Sequence, residues 1–400
     1  MSLNYEQLQP QVADLGRRAV IRDRQLRELR SQVRDLFGHY ARDTDQLRGK
    51  VDRAARAAPT LRCARPRGGD LTSTYQAPPL PEQVTVLAAD GSQINPDPHD
   101  AVQYYVVNIG GIWLSLDQLD PPRILVETNL SYEEDVYTPH GLVSRGQVAL
   151  ERDVSERTYL RDWARSIFDQ NGAGPLVTLT DGPLELWGSH EIRGEGSSSY
   201  RAGLKRYLEA LQDLQQMGTI TAGYVDKPRA NYVVKLMEVA TMPDDELDQV
   251  TQRHRFQGIN DTDLFQGILK PGDRSAIFGI QSHASGDYSG ELSLHFFYLN
   301  VGSVENPWLA RVEVPAWIAV DQDQLDILHG VLLHQCRVMG GAGYPYLLHR
   351  AHEVALVQRE EQEMLTEMIM RERRARGLST GQISHKKYYK DQAGRKRYRR

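Results

Sequence analysis

Apolar positions recur along the first sixty residues with the spacing of one helix face. Leu26, Leu29, Val33, Leu36 and Tyr40 are separated by three, four, three and four residues, and Leu47 and Val51 resume the phase. Arg, Asp and Gln fill the other faces, so residues 1–60 are expected to be helical. The seam suits either a partner helix, as a coiled-coil or dimerisation segment, or an amphipathic surface helix laid across its own protein. From Ala57 to Pro81 the chain gathers Pro, Gly, Arg, Ser and Thr, and residues 61–81 read as a linker before a main domain over residues 82–370.

Within that domain the period changes. VTVLAAD, AVQYYVVNIGGIWLSL and RILVETNL are apolar or alternating runs bounded by Gly, Pro or Asp, the signature of three strands that can pair as an antiparallel meander. Gln147 to Phe168 returns to helical spacing through Val148, Val154, Leu160, Trp163 and Ile167. PLVTLTDGPLELWG then repeats the first signature, an apolar run of β-formers halted at Asp181-Gly182 as VTVLAAD is halted at Asp90-Gly91. After the polar loop GEGSSS come a helix over Tyr200–Met217, the strand TITAGYVDKP, a helix over Asn231–Ala240 and the strands LSLHFFYLNVG and WLARVEVPAWIA. Leu325–Met339 and a long helix entered through GGAGYP complete the pattern. A β-rich first part followed by alternation predicts the α/β class: a mixed sheet with helices on its faces.

Composition adds little until charge is resolved along the chain. The 400 residues are 40% hydrophobic and 25% charged, no apolar run reaches a membrane-spanning length, and MSLNYEQLQP lacks a signal-peptide pattern, so a cytoplasmic protein without membrane association is expected. Cys63 and Cys336 stand alone and read as inert thiols. The net charge of -5 hides an asymmetry: residues 371–400 carry twelve Lys or Arg against Glu372 and Asp391. With Tyr388, Tyr389 and Tyr398 among the cations, this basic tail, expected to be disordered, suits a polyanion, through Lys386, Lys387, Arg395, Lys396 and Arg397 among others; a solvated tail without a ligand is the competing reading.

Candidate chemistry gathers on acids from separate elements. Asp90 and Asp181 each follow a buried-looking strand and precede Gly, and the intervening helix offers Glu151 and Glu156. Hard divalent cations take carboxylate oxygens and keep positions open for water and phosphate, and two such ions about 4 Å apart can stabilise both oxygens of a phosphodiester displacement. Each Asp-Gly alone is better explained as a turn, and each helix acid as part of a solvated face; only the two Asp-Gly together bring the turn and the site level. Near the C-terminus GYPYLLHRAHEVA carries Tyr344, His349, His352 and Glu353; this is not the HExxH order of zinc proteases, and His352 reads as a phosphate-facing donor or proton shuttle, or as a satisfied, partly buried histidine. No phosphate loop, dinucleotide fingerprint or G-x-S-x-G elbow occurs.

Taken in order, AADGSQ, RDVSE, TLTDGPL, GYVDKP and GYPYLLHRAHEVA resemble the NurA nuclease family, over roughly Glu82 to Ala355. The resemblance implies an RNase H-like core with flanking helices and an N-terminal helical segment. It also implies a manganese-dependent DNA nuclease, with magnesium as the other cation considered and one or two ions per site, acting as a 5′ exonuclease and a single-strand endonuclease. A homodimer working with a hexameric HerA-type ATPase on single-stranded and duplex DNA ends in repair and end resection follows as an expectation. By position, Asp90 matches the first acid, Asp181 the acid of DG(S/P)L, Glu156 the acid of R-x-x-x-E with Glu151 as competitor, and Tyr344 and His352 the tyrosine and histidine of the GYP…AH motif. Pro183 stands where many members have Ser, and the basic tail is not accounted for by the family.

The expected site has Asp90, Glu156 and Asp181 holding the metal against a DNA phosphate with water as nucleophile. His352 is expected to ligate a second ion or assist the leaving group, Tyr344 to position phosphate or base, and Lys227 and Arg311 to contact the backbone. Two other classes stay open: a non-catalytic DNA-binding subunit of a DNA-processing complex, and a metal-dependent phosphoesterase acting on smaller substrates.

Overall fold

The computed structural model describes residues 3–99, 101–116, 121–138, 141–171, 174–186, 196–340 and 343–378. It separates into two compact units interleaved in sequence: one of Met1–Pro81, Gly182–Leu184 and Ala222–Pro345, the other of Glu82–Asp181, Glu185–Thr221 and Tyr346–Arg400. In chain order, the first unit opens with helices α1 (Tyr5–His39) and α2 (Thr44–Ala57) and strands β1 (Cys63–Pro66) and β2 (Thr74–Tyr75). The second follows with β3 (Thr85–Ile94), β4 (Tyr104–Ser115), β5 (Arg123–Tyr132), a small hairpin of β6 (Tyr137–Thr138) and β7 (Gly141–Leu142), α3 (Arg145–Asn171), β8 (Leu176–Asp181) and α4 (Gly196–Gln216). Strand β9 (Ile220–Val225) leads back to the first unit, which adds α5 (Tyr232–Thr241), α6 (Asp261–Phe265), β10 (Arg274–Ser275), β11 (Phe278–Gln281), β12 (Leu294–Asn300), β13 (Leu309–Pro315), α7 (Ala316–Ala319) and α8 (Gln322–Val338). The second unit ends with α9 (Tyr346–Ala355) and α10 (Arg359–Ala375).

In the first unit β1, β11, β12, β13 and β9 pair successively antiparallel. Phe265, Phe278, Phe296 and Tyr298 form its aromatic core, with Phe37 of α1 set edge-on to Phe265 at 5.7 Å between ring centroids. The C-terminal half of α1 therefore spends its seam within its own unit: Val33 and Phe37 are buried, and Arg30 reaches Asp263 at 2.7 Å. Toward the N-terminus, Tyr5, Val12, Leu15, Val20 and Ile21 of the same helix are exposed. Residues 61–81, expected as a linker, instead hold β1 and β2, and Leu61, Cys63, Ala64 and Leu71 are buried. The Pro and Gly residues mark the turns around two short strands.

In the second unit the β3–β4–β5 meander is antiparallel, and β8 adds to β3 in parallel after the α3 crossover. Ile220 and Thr221 of β9 follow, Thr221 Oγ1 lying 2.9 Å from Thr178 Oγ1 of β8. Meander, helix and parallel strand in the order β5-β4-β3-β8 make this mixed α/β sheet an RNase H-like core. Successive residues of a strand face opposite sides, and adjacent glycines of β4 show what lies on each. A Cβ on Gly111 would meet Trp163 Cζ3 of α3 at 2.4 Å, whereas one on Gly110 would meet the backbone nitrogen of Ala355 of α9 at 2.4 Å. Helix α3 thus covers one face and α9 the other.

Three local expectations change. β3 does not stop at Asp90: it runs on to Ile94, still paired with β4 through Asp90↔Gly110 and Gly91↔Ile109. The single long C-terminal helix is broken into α9 and α10. Ser92 Oγ and Asn108 Nδ2 both donate to the Ala355 carbonyl, at 2.5 and 2.8 Å, and Gln358 with Glu361 forms a capping box that starts a new helix. Of the loop GEGSSS, Gly194 and Glu195 lie outside the described residues, and α4 begins at Gly196. Among the described residues no helix is long and apolar enough to cross a membrane.

Candidate active site

Asp90 is placed by the sheet and by what the sheet carries. It pairs with Gly110, the position on which the backbone of α9 rests, so the acid faces α9 at close range. Leu347, Leu348, Ala351 and Ala355 form the buried stripe of that helix, and the clamp on the Ala355 carbonyl holds its end. His352, one residue beyond Ala351, then reaches back to the strand: its Nδ1 lies 2.6 Å from Asp90 Oδ2. Asp90 Oδ1 accepts from the amide of Gly91 at 2.8 Å. The His352 side chain remains 58% exposed while Asp90 is 15% exposed, so the pair joins solvent to the sheet.

Asp181 arrives by register. The parallel ladder matches Ala89 of β3 with Thr180 of β8, which makes Asp90 and Asp181 the next residues on adjacent strands, where strand spacing is about 4.8 Å. Asp181 is exposed and Gly182 turns the chain with φ 86°, in the region that favours glycine.

Helix α3 supplies the third group of charges. Glu156 is held well above the usual carboxylate range by burial first, then by the charges of Asp90 and Asp153. Asp153 is likewise raised by burial, which outweighs its pairing with Arg152, and further by Asp90. Arg152 Nη2 sits 2.7 Å from Asp153 Oδ1; burial disfavours its charge, but Asp153, Glu156 and Asp90 together hold it above its ordinary value. The competitor Glu151 is turned elsewhere: Arg206 of α4 pairs with it at 2.9 Å and Ser155 Oγ is 3.4 Å away. Of the two competing glutamates, the one electrostatically coupled to Asp90 is therefore Glu156.

Asp153 and Arg157 escaped sequence reasoning. Asp153 and Glu156 are three apart on one helix face, a spacing that pairs them, but carboxylates on a charged helix resemble a solvated surface. Arg157 is 2% exposed, donates to Thr180 Oγ1 at 2.8 Å and to Tyr207 Oη at 3.3 Å, and lowers the affinity of Glu156 for a proton. Its Nε and Nη1 have no hydrogen-bond partner. The Gly110-Gly111 pair in a strand interior is the one signal readable in advance, since glycine there marks close approach.

The other expected residues make local contacts of their own. His349 pairs with Glu353 at 3.5 Å within α9. Tyr344, Lys227 and Arg311 belong to the first unit. Tyr344 sits edge-on to Tyr224 at 5.8 Å, and Lys227 is exposed with its Nζ 5.8 Å from the centre of the Trp308 ring. Arg311 does not fit the expected DNA contact: it is 6% exposed, bound to the fully buried Glu313 at 2.9 Å and stacked toward Tyr232, so its guanidinium is spent inside the unit. Lys386, Lys387, Arg395, Lys396 and Arg397 lie outside the described residues. Among the described residues, no group of three or more His, Cys, Asp or Glu side chains is closed up to hold a metal ion as it stands.

Comparison with solved structures aligns the chain with the NurA nuclease from Sulfolobus solfataricus at 12% identity, covering 76% of this chain and 86% of that one, with a TM-score of 0.43. A NurA structure with manganese aligns at 13% identity over 74% and 91% of the two chains, with a TM-score of 0.35. The catalytic domain of human endonuclease V aligns at 14% identity over 74% and 85%, with a TM-score of 0.31. No curated protein matches the sequence. Residues 84–357, which run from the start of β3 past the clamped end of α9, match the NurA domain, and the chain belongs to the NurA domain family.

Proposed function

We propose that this protein is a metal-dependent nuclease that hydrolyses phosphodiester bonds of DNA, with Asp90, Glu156 and Asp181 as metal-holding acids and Asp153 as a fourth acid beside them. The observation that carries the reading is the convergence on one sheet edge of Asp90 and Asp181, in adjacent register, with a half-buried Glu156 whose proton affinity the charge of Asp90 raises. The residues fit a hard divalent cation: they are oxygen donors, and Glu156 and Asp153 are crowded acids whose repulsion such an ion relieves. The ion, Mn²⁺ by family resemblance or Mg²⁺, would supply Lewis-acid stabilisation of the phosphodiester and activation of water near neutral pH.

The chain's own groups have separable tasks. His352 holds Asp90 through Nδ1 and, exposed on its outer side, is suited to exchange a proton with a leaving oxygen. Arg152 and Arg157 supply fixed positive charge against the acid cluster. Tyr344 and Lys227 are proposed to orient the phosphate or base and the backbone, and the basic tail to hold DNA electrostatically. Action on DNA ends as a 5′ exonuclease and single-strand endonuclease, as a homodimer with a HerA-type ATPase, is part of the same proposal and is supported by the family.

Labelled single-stranded and duplex DNA incubated with the protein and Mn²⁺, Mg²⁺ or chelator tests it. Cleavage should require metal and be lost in Glu156→Gln but kept in Glu151→Gln. Absence of cleavage with either metal, with and without the ATPase, would sink the reading.

A further inference from the structure

The first unit contains a cavity of about 340 Å³ that the proposed nuclease chemistry does not use. Its wall brings together Arg67, Gly68 and Asp70 from the turn after β1, Tyr75 of β2, Arg274 of β10 and Gln322 at the start of α8. Arg274 is the unusual member. It is 1% exposed, yet its only acidic neighbour within ion-pair range among the described residues is Asp326, at 3.9 Å. A buried guanidinium so weakly neutralised is costly, and compensation by further hydrogen bonds is what makes such charges tolerable.

The surroundings define which part of Arg274 is left for a ligand. Tyr75 is its cross-strand partner, and the guanidinium carbon lies 4.0 Å from the Tyr75 ring centre, with the Phe297 ring centre at 5.8 Å. The rings offer no hydrogen-bond acceptor, so recognition falls to the N–H groups. There Nη1 donates to the Ser275 carbonyl at 3.3 Å and Nη2 to Gln322 Oε1 at 3.5 Å, while Nε has no partner. Arg67, anchored by a hydrogen bond to the Ala319 carbonyl, adds a second guanidinium to the wall. The one acid of the lining, Asp70, is engaged by Thr72 at 2.5 Å and Arg42 at 3.3 Å.

We propose that this cavity binds a phosphate group, held between the edges of Arg67 and Arg274 and carried on a molecule of about nucleotide size. Two planar forks match tetrahedral phosphate oxygens, and the volume exceeds what a bare phosphate fills and falls in the range of small-ligand pockets. The phosphate can come from a free mononucleotide or from the end of a DNA strand, and the chemistry of recognition is the same.

The test is calorimetric titration of the full chain, in chelator and at fixed ionic strength, with inorganic phosphate, AMP and a 5′-phosphorylated oligonucleotide against its unphosphorylated twin. Saturable binding of phosphate and tighter binding of AMP are expected, each weakened about tenfold or more in Arg67→Gln and in Arg274→Lys, which keeps the charge and loses the fork. Asp90→Asn should bind AMP as the native protein does, which separates this site from the acid cluster. A preference for the phosphorylated oligonucleotide over AMP assigns the source to strand ends, and the reverse to free nucleotide. No saturable binding of phosphate or AMP, or equal binding in folded Arg67→Gln, overturns the proposal; if Arg274→Lys fails to fold, Arg67→Gln decides alone.

Discussion

Asp90-Gly91 and Asp181-Gly182 are the same dipeptide after the same kind of strand, and the backbone treats them oppositely. At Asp181 the strand ends and Gly182 turns with φ 86°. At Asp90 the strand continues, because β4 runs beside it to Ile94, and Gly91 keeps an ordinary extended conformation. The two glycines are small for different reasons. Gly182 needs backbone freedom, and its missing Cβ would meet nothing; Gly91 needs room, since a Cβ there would lie 2.7 Å from Arg152 Cγ and 3.0 Å from Ile109 Cδ1. A carboxylate can thus be delivered to a sheet edge by a turn or by loss of a neighbouring strand, since β8 stops beside β3 where Asp90 begins.

The strongest way to break the comparison is at the acids. Asp90→Asn and Asp181→Asn should each reduce metal-dependent cleavage by about 10³-fold or more while circular dichroism stays native; a residual difference between them measures how unequal the two deliveries are. Next comes Gly110→Ala, which touches the Asp90 side alone. Its Cβ would strike the backbone of α9 rather than a movable side chain, so a loss of about 3 kcal/mol or more in denaturant unfolding is expected, with cleavage impaired through His352.

Gly91→Ala should cost about 2 kcal/mol by overpacking against Arg152, and Gly182→Ala about 1 kcal/mol by left-handed strain. Truncating the obstacle with Arg152→Ala sharpens the contrast. It should recover part of the Gly91→Ala loss and none of the Gly182→Ala loss, and equal recovery in both would refute the steric account.

The smallest effect on the comparison comes from a shared background. Burial pulls His329 and His295 down to about 4, so both are neutral in the folded chain. The unfolded chain takes up those protons near pH 6.5, so this stability is present above about pH 6.5 and falls toward pH 4 by about 1.4 kcal/mol per pH unit per group at most. Melts at pH 7 and pH 5 should show every variant weakened, while the gap between Gly91→Ala and Gly182→Ala stays within about 0.5 kcal/mol.

The meander and the parallel strand were readable because their apolar runs are long and bounded, and Asp90 and Asp181 stood out as acids closing such runs. The R-x-x-x-E match favoured Glu156 over Glu151, but the ion pair that turns Glu151 away comes from Arg206 on α4, far away in sequence. Arg311 was misplaced for a similar reason: its strand was recognised, but nothing local announces Glu313 and Tyr232 as its partners. The break between α9 and α10 depends on Ser92 and Asn108 capturing one carbonyl, a tertiary event without a signature in the helix itself.

The unbroken course of β3 through Asp90 restricts how this chain can change length. A residue gained or lost between Thr85 and Asp90 would exchange the two sides of the strand, presenting Gly91 to α9 and driving a carboxylate into the stem of Arg152. Residues 95–103, between β3 and β4, carry no such parity. Insertions and deletions should therefore accumulate in that connection and be excluded from the five residues, Thr85 to Ala89, that lead to the acid.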